Sequence, residues 1–277
     1  MTIVAADEPA VALLDETWRS LDEFCSDLAP GQWRAPTDCP GWSVQDNLAH
    51  IVGLELVLEG DADPPAPYPA DAVPEHVKND LGSSNEAWVA SMRPLSGAEV
   101  LDKFRAVAAQ RLTSLRGLDE AAWSEPWPTP AGVQPYRDFM GLRSFDAWSH
   151  EQDIRRAVGR PGHWQGPVAE NSLVRLIGAF PFVVGKRAGA PDGTVVSLRL
   201  TDQIERRVVV AVAGGRAKVV TGDTGPPAAT LELPAEAFAC LVLGRWDPEP
   251  TLERSDVHLA GDTDLARRII SSLAVVT

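Results

Sequence analysis

The residues of greatest chemical potential are Asp146 and His150, in Asp146-Ala147-Trp148-Ser149-His150, and a lone His50 in a helix signal introduced by Cys39-Pro40-Gly41-Trp42-Ser43. On an α-helix, Asp146 and His150 are one turn apart and project from the same face. A carboxylate and an imidazole so placed, joined by an imidazole from a second helix, make a three-ligand site for a divalent metal. Such a site leaves one coordination position open, which is what a catalytic metal needs. The same pair also fits an ordinary solvated face with i,i+3 and i,i+4 contacts, because carboxylate-x-x-x-His is a short pattern. His50, beside Leu48, Ile51 and Val52, reads either as the third ligand or as a satisfied boundary histidine. Asp46, one turn before it, is placed to orient its ring.

These residues require helices to position them. Residues 8–29 read as an amphipathic helix, with Val11, Leu14, Trp18, Leu21, Phe24 and Leu28 at helical spacing. Ser43 with Asp46 resembles a capping box and starts a helix to about Glu59. The proline- and aspartate-rich stretch Gly60–Pro74 reads as a loop able to border a pocket. Further helices are expected over Ser84–Met92 and from Ser96, with capping partner Glu99, to Gly117. Trp123–Pro135 reads as irregular, and a long helix covers about Arg137–Val158. On that helix Asp146, His150 and Asp153 share a polar stripe, Glu151 points away, and Arg155 and Arg156 complement the C-terminal dipole. His76, His163 and His258 read as surface residues. Cys25, Cys39 and Cys240 read as buried fillers, Cys39 being the one close to the His50 helix.

The pattern changes after about residue 165. Thr194–Leu200 and Arg207–Ala213 read as a hairpin, Lys218–Thr221 and Ala229–Leu233 as further strands, and Pro234–Leu243 as a helix. Val257–Ala260 reads as a short strand before a last helix, capped by Asp262 or Thr263, that reaches about Val275. The expected fold class is therefore α+β in two domains: a helix bundle over residues 1–164 and a small α+β domain over residues 165–277.

Composition narrows the function classes. Twenty-five Lys and Arg against 39 Asp and Glu give a net charge of −14, which argues against nucleic acid and anionic membrane surfaces as partners. No apolar stretch of membrane-spanning length and no signal-like N-terminus stand out, so a cytoplasmic location is expected. Three widely spaced cysteines form no zinc-ribbon or redox pattern.

The arrangement Trp33…Pro36-Thr37-x-Cys39-Pro40-Gly41-Trp42-Ser43-Val44-x-x-x-Leu48-x-His50 is distinctive. So is Asp146-x-Trp148-x-His150-Glu151-x-Asp153-Ile154-Arg155, followed by Gly159-Arg160-Pro161. Together they resemble the mycothiol-dependent maleylpyruvate isomerase family, whose N-terminal half belongs to the DinB-like metal-binding four-helix bundles. The tail, Leu243-Gly244-Arg245 and then Leu259-Ala260-Gly261-Asp262, looks like that family's small α+β domain, itself similar to sterol-carrier folds. The resemblance implies a divalent metal, with zinc the expected ion, on His50, Asp146 and His150. Asp146 departs from the founding isomerase, which has Glu there. The resemblance also implies mycothiol as a low-molecular-weight thiol cofactor, a small electrophilic substrate, and an arginine that handles it. Arg245 is the candidate for that arginine and Arg254 its competitor. Thiolate addition to an electrophilic double bond would then give isomerisation, or S-transfer if no elimination follows, in a monomer or homodimer. A non-enzymatic small-ligand-binding bundle and a metal-dependent hydrolase remain alternative readings.

Overall fold

The computed structural model describes residues 8–60, 65–66, 73–129 and 132–275, so most of the loop expected over Gly60–Pro74 lies outside the described residues. The chain divides into two compact units, residues 1–168 and 169–277. In the first, α1 (Pro9–Ser26), α2 (Val44–Glu59), α4 (Gly97–Arg116) and α6 (Tyr136–Ala157) pack as a four-helix bundle, with α3 (Asp80–Met92) laid on α2. Leu14, Trp18, Leu21 and Phe24 of α1 meet Leu48, Ile51 and Val52 of α2, Phe104 and Leu115 of α4, and Met140 and Ile154 of α6 in one core.

α2 starts where the capping residues place it. Ser43 Oγ accepts from the Asp46 N–H at 3.3 Å, and the Asp46 carboxylate accepts from the Ser43 N–H at 2.9 Å. The helix ends at Gly60, in the left-handed region at φ 74°. Every residue from Val44 to Gly53 is buried. A helix enclosed on all sides carries no sequence stripe that says which way His50 points.

The structure departs locally from the sequence reading. α3 begins at Asp80 rather than Ser84, because the Asn79 side chain accepts from the Gly82 N–H at 2.8 Å and outweighs the glycine. The described residues of Trp123–Pro135 are regular rather than irregular. A short turn, α5 (Glu120–Trp123), leads into strands β1 (Pro126–Thr129) and β2 (Gly132–Pro135), paired antiparallel. Both strands of a two-stranded ribbon are edges, so its three prolines cost no interior ladder bond. Residues 167–187, unassigned from sequence, are helical: α7 (Pro167–Gly178), α8 (Phe180–Phe182) and a π-helical turn, Val183–Arg187. That 21-residue run is the one helical stretch among the described residues with the length and apolarity to cross a bilayer, which corrects the expectation of none; half of it is buried within the protein.

The second unit is a five-stranded sheet of order β5-β4-β3-β6-β7. Its strands are β3 (Val195–Thr201), β4 (Arg206–Ala213), β5 (Arg216–Val220), β6 (Ala229–Pro234) and β7 (His258–Gly261). β3 and β6 run parallel and the other neighbours antiparallel. Alternation along the strands buries Val196, Leu198 and Leu200, then Val208, Val210 and Val212, then Leu231 and Leu233. Helices α9 (Ala235–Val242), α10 (Pro248–Leu252) and α11 (Thr263–Ile270) complete the unit. The Asp262 carboxylate caps α11 by accepting from the Leu265 N–H at 2.9 Å. α11 stops at Ile270 rather than near Val275, and the Val275 N–H instead donates to the Val242 carbonyl at 3.1 Å. Fold class and architecture are thus α+β in two parts.

The α2–α3 contact is close because Gly53 has no side chain: a Cβ there would lie 2.5 Å from Cγ of the buried Trp88. Gly53→Ala gains about 1 kcal/mol in helix propensity, but overpacking against a buried ring costs about 1–3 kcal/mol. Urea unfolding should show a net loss of stability; a variant more stable than the parent would refute the tight contact.

Candidate metal centre

α2 and α6 bring His50, Asp146 and His150 together, with one ligand atom from each lying within 4.8 Å of the others. His50 Nε2 is 3.4 Å from Asp146 Oδ2, and His150 Nε2 is 3.9 Å from Asp146 Oδ1. The two imidazole centroids are 4.7 Å apart at an interplanar angle of 67°. The His50 and His150 side chains are 4% and 8% exposed and that of Asp146 31%, so the cluster opens on the carboxylate's side. Burial pushes the His50 imidazole down to about 4, against the opposing pull of Asp146, so its ring is neutral at physiological pH. Burial alone would raise the Asp146 carboxyl, but the Arg143 guanidinium and then the His50 hydrogen bond outweigh it and hold the group well below the usual carboxylate range. A neutral His50 imidazole and an ionised Asp146 carboxylate are protonation states that a divalent cation requires.

The ring of His150 is oriented by a hydrogen-bond chain. Asn47 Nδ2 donates to the Ser43 carbonyl at 2.9 Å and to Thr37 Oγ1 at 3.0 Å, while the Thr37 hydroxyl donates to the Trp42 carbonyl at 2.8 Å. Asn47 Oδ1 is thereby left as an acceptor, 2.7 Å from His150 Nδ1, which must carry the proton. The lone pair then sits on Nε2, on the side of Asp146. His50 has no such support: its Nε2 faces Asp146, and its buried Nδ1 makes no hydrogen bond. Trp42 closes one side, its ring centroid 5.0 Å from that of His50 and 5.7 Å from that of His150. Its indole Nε1 donates to the buried Glu86 at 2.8 Å.

Other residues fall differently from their sequence assignments. Asp46 does not orient His50; it caps α2 and pairs with Arg93 at 3.2 Å. Glu151 does face away from the cluster, but into the protein, where it accepts from Ser20 and Arg155 and contacts His163 Nδ1, each at 2.7 Å. His163 is consequently not a surface residue, and His76 is held 2.9 Å from Glu86; His258 is exposed. Arg155 and Arg156 do more than complement a dipole: Arg155 pairs with Glu151, and Arg156 with Asp38 and Asp153. Cys25 and Cys240 are buried, as expected of fillers. Cys39 forms a second ligand cluster with His150 and Asp153. That cluster lies on the Nδ1 side of His150, where the proton goes to Asn47, and its carboxylate is paired with Arg156, so the His50 set is the better fit to a cation. Arg143 was missed in the sequence, although its place three residues before Asp146 is an i,i+3 signal; Thr37 and Glu86, distant in sequence, gave no such signal. In the second unit, Arg245 Nη1 donates to the Leu243 carbonyl at 3.1 Å, whereas Arg254 forms a two-bond pair with Asp256 and lies over Trp246.

Comparison with known proteins gives concordant matches. Residues 14–155 match the sequence-family model of the mycothiol maleylpyruvate isomerase N-terminal domain, and residues 172–268 that of the C-terminal domain of the same family. The crystal structure of the mycothiol-dependent maleylpyruvate isomerase superposes with a TM-score of 0.58 at 17% identity, covering 91% of this chain and 92% of that one. A histidine-to-alanine mutant of that isomerase superposes at 0.52, also at 17% identity, covering 86% and 89%. Two uncharacterized proteins of Mycobacterium tuberculosis, from strains CDC 1551 / Oshkosh and ATCC 25618 / H37Rv, are each 23% identical over 154 residues. Those matches span 54% of this chain and 57% of the relatives' own length.

Two outcomes follow from the groups around the rings. Asn47→Leu removes the acceptor that fixes the His150 tautomer, and such supporting changes cost about 10–100-fold in metal affinity; unchanged affinity in a chelator competition would exclude the orienting role. Burial raises the Glu86 carboxyl, but bonds from His76 and Trp42 and the charge of Arg93 bring it below its ordinary value of 4.5. A depressed acid stabilises fully above its unfolded value and loses that contribution as pH falls through the folded one. The stability gap between the parent and Glu86→Gln should therefore be widest near pH 7 and shrink below about pH 4.5; urea melts that show a constant gap would contradict it.

Proposed function

Because the chain belongs to the mycothiol-dependent maleylpyruvate isomerase family, we propose that it is a divalent-metal enzyme that uses a low-molecular-weight thiol, mycothiol by family, on a small electrophilic substrate. The observation that carries the reading is the convergence of His50, Asp146 and His150 from two helices into one cluster. Two imidazoles and a carboxylate form a three-ligand set suited to zinc with a position left open. A divalent ion held there would supply Lewis acidity that lowers the pKa of a thiol at the open position.

The chain's own groups have separable tasks. Asn47 holds the His150 lone pair toward the cluster, and burial keeps His50 neutral. Trp42 covers the imidazoles and excludes water from their side. Asp146, the most exposed of the three, marks the side from which a thiol and substrate would approach. Arg245 is the proposed substrate-handling arginine, with Arg254 its competitor. Thiolate addition followed by elimination gives isomerisation, and addition alone gives S-transfer. The hydrolase reading is weakened because Glu151, the nearest extra carboxylate in sequence, is fully engaged by Ser20, Arg155 and His163. We place the protein in the cytoplasm, as a monomer or homodimer, with neither nucleic acid nor membrane as partner.

His50→Ala and His150→Ala should each abolish retention of zinc through gel filtration, and turnover by the parent should require an added thiol. Zinc retained by both variants would refute the ligand set. Full turnover without thiol would refute the cofactor assignment alone.

A further inference from the structure

Arg143 lies on α6, three residues before Asp146, and is 5% exposed. Its Nη1 donates to Asp146 Oδ2 at 2.7 Å and its Nε to Glu55 Oε1 on α2 at 3.0 Å. The other oxygen of Glu55 accepts from Arg111 Nε of α4 at 3.0 Å. Arg111 then donates to Glu59 at 2.8 Å and to the Tyr136 hydroxyl at 2.9 Å. Charge thus alternates along Asp146, Arg143, Glu55, Arg111 and Glu59 through the bundle interior. The far end lines an open hollow of about 530 Å³ with Trp127 and Leu118.

Such a ladder is a poor way to stabilise a core. Desolvating five charges cancels most of their mutual attraction, and apolar side chains of similar volume often do as well. Its effect on Asp146 is specific, however. Oδ2 accepts from Arg143 and lies 3.4 Å from His50 Nε2, while Oδ1 faces His150. The planar guanidinium reaches carboxylates on two helices at once, which a lysine ammonium on a flexible stem does not reproduce. We propose that Arg143 is a positioning residue for the metal ligand: it anchors Asp146 through Oδ2 and so fixes how the carboxylate meets the two imidazoles, and it is itself held by Glu55, which Arg111 holds in turn. This inference rests on the metal reading above.

The test uses the full chain with Arg143→Lys and Arg111→Lys. It measures zinc affinity by chelator competition, the visible spectrum of the cobalt-loaded protein, and urea stability of the metal-free form. Arg143→Lys should bind zinc about 10–100-fold more weakly and alter the cobalt spectrum, and Arg111→Lys, one step removed, should shift both less. Parental affinity and spectrum in Arg143→Lys, with only metal-free stability reduced, would make Arg143 purely structural and overturn the proposal. Should Arg143→Lys fail to fold by circular dichroism, Arg111→Lys decides: weakened affinity supports the ladder and parental affinity refutes it. A parent that binds no zinc removes the metal reading itself, an outcome distinct from a tight-binding parent whose variants bind equally well.

Discussion

The hydrogen bond between His150 Nδ1 and Asn47 Oδ1 is the interaction on which the cluster depends. It joins α6 to α2, fixes which nitrogen carries the proton, and does so with an amide whose own orientation is dictated by the Ser43 carbonyl and the Thr37 hydroxyl. The Ser43–Asp46 capping box sets where α2 begins, and hence the height at which Asn47 and His50 enter the core. A shift of one residue in that start would turn both side chains by about 100°. Local chemistry at a helix terminus is thus coupled to site geometry two turns away.

A second constraint is the cost of burying polar groups in a bundle. The first unit encloses His50, His150, Glu55, Arg111 and Arg143, and nearly every charge among them meets an opposite one or a hydrogen-bond partner. His50 Nδ1 and Arg143 Nη2 are the atoms of this group that make no hydrogen bond, although Arg143 Nη2 stays 3.0 Å from Glu55. The cluster differs from the charge ladder beside it in bringing two imidazoles and a carboxylate to one point.

The sequence was most informative where signals were local. Both capping boxes, the β-branched strands of the second unit and the cap at Asp262 follow from short-range chemistry, and the structure carries each of them. The polar stripe on α6 was legible because Asp146, His150 and Asp153 share one helix. The orientation of His50 was not, since the first ten residues of α2 are all buried and its neighbours come from several other elements. The assignment of Asp46 to His50 failed because a capping aspartate at the third helical position is already engaged, and Arg93, 47 residues away, takes its other oxygen. Helix α7 was missed because nothing before Pro167 marks a start strongly, and the ribbon over Pro126–Pro135 because prolines conceal a strand that has no interior.

The bond from Asn47 to His150 spans 103 residues. Helices such as α2 and α6 form locally and fast, whereas a contact of that separation waits for loop closure and docking of the whole bundle. The two halves of the cluster therefore exist as secondary structure before they exist as a site. Isolated segments containing Asn47 and His50, or Asp146 and His150, would carry the right side chains without their geometry. The cluster requires α2 to be docked on α6, so a change that loosens that docking disturbs the cluster even where both helices persist.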